Sequence, residues 1–137
     1  AMLATAAVQE QACRALISIT VGTDAQGSAR RQAAADAGAL PHIVAAMRAH
    51  SVTAAVQEQA CWALINITVG TDAQGCACRQ AAVDAGALPQ IVAAMRAHPT
   101  DASVQLPMCC ALRDLATSAD AQVRARAAVA LGALPLL

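Results

Sequence analysis

Between residues 56 and 68 the chain reads VQEQACWALINIT. Val56, Ala60, Ala63, Leu64 and Ile67 fall at i, i+4, i+7, i+8 and i+11, so one face of an α-helix carries all five. Glu58, Trp62 and Asn66 fall at i, i+4 and i+8 on a separate face. The first set reads as core. The second sets the only tryptophan of the chain one turn from a polar amide. A shorter pattern precedes it: Leu40, Ile43, Val44 and Met47 at i, i+3, i+4 and i+7 predict an amphipathic helix.

Turn signals divide the chain into further elements. A long helix is expected from Leu3 to about Val21, followed by a loop from Gly22 to Gly27. Ser28–Ala37 reads as a short helix stopped by Gly38, a residue able to take the left-handed conformation. Ala39-Leu40-Pro41 opens a medium helix that runs to about Ala49, proline being tolerated where no helical N–H is needed. The cycle restarts with a long helix from about Val52 to Val69 and a loop from Gly70 to Gly75. A short helix from Cys76 to Ala85, stopped by Gly86, and a medium helix opened by Pro89 and reaching about Ala97 complete it. A third long helix is expected from Ser103 to Thr117, with Pro107 delaying its start or kinking it. Asp120 is positioned to cap a last short helix ending before Gly132.

These cycles are copies of one another. Ala6–His50 and Ala54–His98, 48 positions apart, agree at 39 of 45 positions. A divergent third copy starts near Val104, where MCCALRDLA aligns with Ala60–Thr68. Repetition at such a period signals a stacked-repeat architecture. The expected division is a partial repeat over 1–21, full repeats over 22–69 and 70–117, and a partial repeat over 118–137, all in one domain. It reads as a slice cut out of phase from a longer array, with apolar stripes uncovered at both ends.

Composition narrows the function. The chain is 58% apolar, with alanine prominent and Phe and Tyr absent, which favours closely packed helices over sheet. Nine acidic residues balance nine basic ones, so no cationic surplus exists to capture nucleic acid or an anionic membrane. No apolar run is long enough to span a bilayer. Six cysteines without a secretory signal point to reduced thiols in the cytoplasm or nucleus. Cys13, Cys61 and Cys109 share one repeat position and read as small core hydrophobes.

The carriers DAGALP at Asp36–Pro41 and Asp84–Pro89, LGALP at Leu131–Pro135 and ACWALINIT at Ala60–Thr68 resemble the armadillo repeat. The resemblance implies an all-α, right-handed armadillo-repeat α-solenoid of about three 48-residue, three-helix units. It implies that the third helices line a concave groove for extended peptides. In importin-alpha-like members a Trp and an Asn one turn apart on this helix form a ladder that holds the ligand backbone. Only Trp62 and Asn66 match that pair. Arg14 and Ser18 occupy the places in the preceding unit, Cys110 and Asp114 in the following one.

The internal comparison supports the same face. Of six differences between the two close copies, Arg14/Trp62 and Ser18/Asn66 lie one turn apart on one helix side. The expected peptide-binding row is therefore Glu10, Arg14, Ser18, Glu58, Trp62, Asn66, Cys110 and Asp114. Tryptophan and a hydrogen-bonding amide suit a peptide surface. Catalytic and metal sites are not expected. Cys76 and Cys78 point apart at i and i+2, His50 and His98 are helix-end repeats of each other, and His42 aligns with Gln90, so the three histidines form no ligand set. The loop at Gly70–Gly75 lacks the Lys-Ser/Thr of a phosphate loop. No cofactor is implied. The expected function is a non-enzymatic interaction scaffold for a protein or extended peptide. The alternative is a structural solenoid that self-associates through its ends as a homo-oligomer, stacked head to tail or swapped.

Overall fold

The computed structural model describes residues 5–22, 24–69, 73–118 and 120–132. Among them lie eight α-helices and no strand: α1 (Ala6–Thr20), α2 (Ala25–Asp36), α3 (Ala39–Ala49), α4 (Ala54–Thr68), α5 (Ala73–Asp84), α6 (Ala87–Ala97), α7 (Ala102–Ala116) and α8 (Ala121–Gly132). No described helix is long and apolar enough to cross a membrane.

The helices repeat as short, medium and long, and the copies stack. The long helices α1, α4 and α7 lie side by side, and their two seams are the most extensive in the molecule. The medium helices α3 and α6 pack on one another and on the long helix that follows each. The short helices α2, α5 and α8 each pack on a long helix, and α8 also reaches α5 and α6. This is an all-α repeat solenoid. Its core runs along the stack: the predicted stripe Val56, Ala60, Ala63, Leu64 and Ile67 is fully buried, as is Leu40, Ile43, Val44 and Met47 on α3.

Both short helices of the close copies begin three residues earlier than their glycines suggest. Asp24 sits in extended backbone, and its carboxylate accepts the Gly27 N–H at 2.8 Å, so Ala25-Gln26-Gly27 form the first turn of α2 instead of a loop. Gly27 is needed there for space. A Cβ on it would stand 2.6 Å from the Gly22 carbonyl oxygen, and Gly22 itself has φ 107°. In the third unit Ser118 and Val123 occupy these two positions together. There the chain leaves α7 differently, with the Thr117 N–H bonded to the Arg113 carbonyl and the Ser118 N–H to the Leu115 carbonyl, so neither glycine is required. Pro107 does not delay α7, which starts at Ala102 and runs through it. Asp120 caps α8 as expected, accepting from the Gln122 and Val123 N–H groups at 2.8 and 3.3 Å.

Two repeated polar residues tie the layers together. Gln57, fully buried at the start of α4, donates through Nε2 to the carbonyls of Met47 (2.9 Å) and His50 (3.0 Å) at the end of α3. Gln105 does the same for Met95 and His98, both at 2.9 Å. Each clamp satisfies helix-end carbonyls that have no partner inside their own helix. Arg79, buried in α5, donates to the Thr68 carbonyl at the end of α4 (2.9 Å) and to Ser118 Oγ (3.2 Å). Arg31, its counterpart, donates to the Gly22 carbonyl.

Candidate functional site

All eight predicted row residues lie on the three adjoining long helices. Glu10, Arg14 and Ser18 are on α1, Glu58, Trp62 and Asn66 on α4, and Cys110 and Asp114 on α7. These helices pack side by side, with α4 between α1 and α7. The environments of equivalent positions differ, because among the described residues α4 has a long helix on both flanks and α1 has one on a single flank.

On α1, Arg14 and Ser18 are exposed. Arg14 Nη2 lies 3.0 Å from the Glu10 carboxylate, an i, i+4 pair that offsets the cation in the row. On α4, Glu58, Trp62 and Asn66 are all partly buried, so Trp62 is not the fully exposed indole that its sequence position suggests. Asn66 shows why. Its Nδ2 donates to the Ile17 carbonyl of α1 at 3.3 Å. Val21 turns to extended backbone, with ψ 148°, so the last-turn carbonyls of α1 lack helical donors. Thr20 Oγ1 covers the Leu16 carbonyl at 2.6 Å, and Asn66 reaches across the seam to Ile17. An amide offers two N–H donors and an acceptor oxygen, so one such bond leaves capacity for a ligand's peptide group.

On α7, Cys110 is partly buried against α4 and Asp114 lies 3.4 Å from Arg113. The α4–α7 seam gathers thiols. Burial pushes the Cys61 thiol strongly up, and neighbouring Cys110 and Cys109 push it further. Burial also pushes Cys13 up to about 11. Cys109 departs from expectation: it is exposed, while its equivalents Cys13 and Cys61 are buried. Cys61 is covered by α7, and among the described residues no long helix covers the far side of α7.

Other residues fall outside the row. Cys76 Sγ accepts from Arg79 Nη2 at 3.3 Å while Cys78 is buried, so the two do not converge. His42 Nε2 meets Gln9 Oε1 at 3.2 Å, and His98 Nε2 meets the Ser51 carbonyl at 3.0 Å, both ties between units. Among the described residues no three His, Cys, Asp or Glu side chains are grouped to hold a metal ion.

The stacked short–medium–long units carry a family signature. The model of the Armadillo/beta-catenin-like repeat matches residues 28–69 and 75–117, more than half of the chain. The chain belongs to the armadillo-repeat family. No match was found among curated proteins or among solved structures. The two armadillo matches take in most of α2 with α3 and α4, then most of α5 with α6 and α7, and each ends with a long helix of the row. Armadillo repeats usually mediate protein–protein interaction, generally as non-enzymatic scaffolds.

Sequence reasoning missed the clamp residues Gln57 and Gln105 and the seam bond of Asn66. The glutamines had a usable signal. A glutamine directly after the core valine recurs in all three copies, at Gln9, Gln57 and Gln105, where nothing about a solvated face would require it. The Asn66 bond had none, since its acceptor is a backbone carbonyl 49 residues away.

Proposed function

We propose that this armadillo module is a non-enzymatic scaffold that binds an extended peptide segment of a partner protein across α1, α4 and α7. The observation that carries this reading is the clustering of substitutions: two nearly identical units diverge at Arg14/Trp62 and Ser18/Asn66, which lie on adjoining helices of one surface. A bound backbone would hydrogen-bond the Asn66 amide while its side chains rest on Trp62, flanked by Glu58, Cys110 and Asp114. Glu10, Arg14 and Ser18 extend the same track. A reducing compartment, cytoplasm or nucleus, belongs to this reading and suits the thiols of Cys61, Cys109 and Cys110.

The test is a peptide-array screen on the full chain, followed by titration of the best hits using Trp62 emission. As the only tryptophan, it reports on this surface alone. Binding that survives Asn66→Ala and Trp62→Ala, read for the latter by calorimetry, would overturn the assignment. A second reading, end-on self-association, is favoured by Val8 and Ile19. They are 54% and 50% exposed on α1, although their equivalents on α4 are buried. Concentration-dependent light scattering, with Val8→Glu as control, distinguishes a homo-oligomer from a monomeric peptide binder.

A further inference from the structure

The long helices carry four free cysteines: Cys13 on α1, Cys61 on α4, and Cys109 and Cys110 on α7. The register of the seams decides which of them meet. Asn66 of α4 reaches the Ile17 carbonyl of α1. One turn earlier on both helices, the same register sets Trp62 against Cys13. Cys13 is indeed only 1% exposed, although Arg14 beside it is exposed. The α7 helix spans Ala102–Ala116, which is α4 shifted by 48 positions at both ends. Advanced by one unit, the pairing of Trp62 with Cys13 becomes a pairing of Cys110 with Cys61.

The two thiols differ in access. Cys61 is fully buried in the α4–α7 seam, and Cys110 is partly open. That opening does not depend on what flanks α7 on its other side. Trp62 holds the same repeat position between two long helices and still keeps part of its surface open. Burial dominates the upward push on the Cys61 thiol, and Cys110 adds to it more than Cys109 does, in agreement with the register. Cys109 stands about 100° round the helix from Cys110, in the position that Cys61 holds on α4. It is therefore turned to the flank of α7 away from α4.

We propose that Cys110 and Cys61 form a peroxide-sensitive pair, in which the open thiol is oxidised and the buried one resolves it into a disulfide joining α4 to α7. The oxidant is hydrogen peroxide. The Cys110 thiolate attacks one peroxide oxygen, the O–O bond breaks, and the departing hydroxide takes up the proton that Cys110 had lost. This leaves a sulfenic acid on Cys110. The Cys61 sulfur then attacks the Cys110 sulfur, the S–O bond breaks, and the hydroxyl leaves as water with the Cys61 proton. Two thiols and one peroxide have become one disulfide and two waters. Cys61 keeps its proton until the sulfenic acid forms beside it, so it is the resolving and not the attacking thiol. The bond staples two neighbouring units, and it does so whether or not the row binds a peptide.

The test uses the full chain carrying Cys109→Ser, so that no adjacent or intermolecular bond through Cys109 confuses the result. The folded protein is treated with stoichiometric hydrogen peroxide, and its cross-linked and dimedone-labelled peptides are read by tandem mass spectrometry. The expected product is a Cys61–Cys110 disulfide that dithiothreitol reverses. Because it closes a loop of about 50 residues, it should raise the urea midpoint by about 1 M. Adding Cys61→Ala, with folding checked by circular dichroism, should abolish the cross-link and raise dimedone labelling of Cys110 at least about tenfold. Adding Cys110→Ser should remove both products and leave Cys61 reduced. A cross-link from Cys110 to another cysteine, equal labelling of Cys110 with and without Cys61, or oxidation of Cys110 only after unfolding in urea would each overturn the proposal.

Discussion

Replacing Gln57 by leucine is the sharpest probe of how the units are joined. The substitution nearly preserves volume and removes two donors. Gln57 is fully buried, and its Nε2 serves both the Met47 and His50 carbonyls. A buried acceptor left unpaired costs about 1–3 kcal/mol, and the His50 carbonyl keeps the Thr53 N–H at 3.0 Å, so the loss falls on the Met47 carbonyl and should be about 2 kcal/mol. The repeat supplies internal controls. Gln105 makes the same two bonds from a partly buried position, where water can replace the amide, and Gln105→Leu should cost about 1 kcal/mol. Gln9 instead meets the His42 ring through its Oε1, so Gln9→Leu should cost less than about 1 kcal/mol. Urea unfolding followed by circular dichroism reads the series. With a slope of about 1–3 kcal/mol per molar, the Gln57 variant should unfold about 0.7–2 M earlier. Equal costs at all three positions, or a Gln57 cost under about 0.5 kcal/mol, would refute the assignment of the clamp.

Other perturbations follow from local geometry. Gly27→Ala forces a Cβ onto the Gly22 carbonyl and should destabilise by about 1–3 kcal/mol, while Gly132→Ala, with open space and no positive φ, should stabilise by about 0.5 kcal/mol; thermal melts of the pair check both signs. Cys109, exposed, should react first with a maleimide reagent, and buried Cys13 and Cys61 last, as read by peptide mass spectrometry after timed quenching. Both buried thiols titrate higher folded than unfolded, so the folded state holds its protons more tightly. Stability should be constant below the ordinary thiol pKa of 9.0 and fall as pH rises from there towards about 11. Cys13→Ala/Cys61→Ala should flatten that fall in urea midpoints measured across this range, and an unchanged slope would contradict it.

The row of candidate residues was readable from position alone, because equivalent places on neighbouring copies of one helix must share a surface. The partial burial of Trp62 was not, since it depends on how closely α1 approaches α4. The starts of α2 and α5 were misplaced for a local reason. Two glycines five residues apart read as a loop, yet Asp24 caps the helix early and Gly27 serves the close approach of a carbonyl.

By itself the sequence determined the helices, their apolar stripes and their repetition, because 3.6-residue periodicity and turn chemistry are local properties that each copy states again. It could not determine what covers each stripe. Val8 and Val56 have the same neighbours for several residues on either side, yet one is 54% exposed and the other fully buried. Cys61 and Cys109 differ in the same way. Identical local sequence yields identical helices, but burial requires a second surface, and only the order of stacking decides which copies receive one.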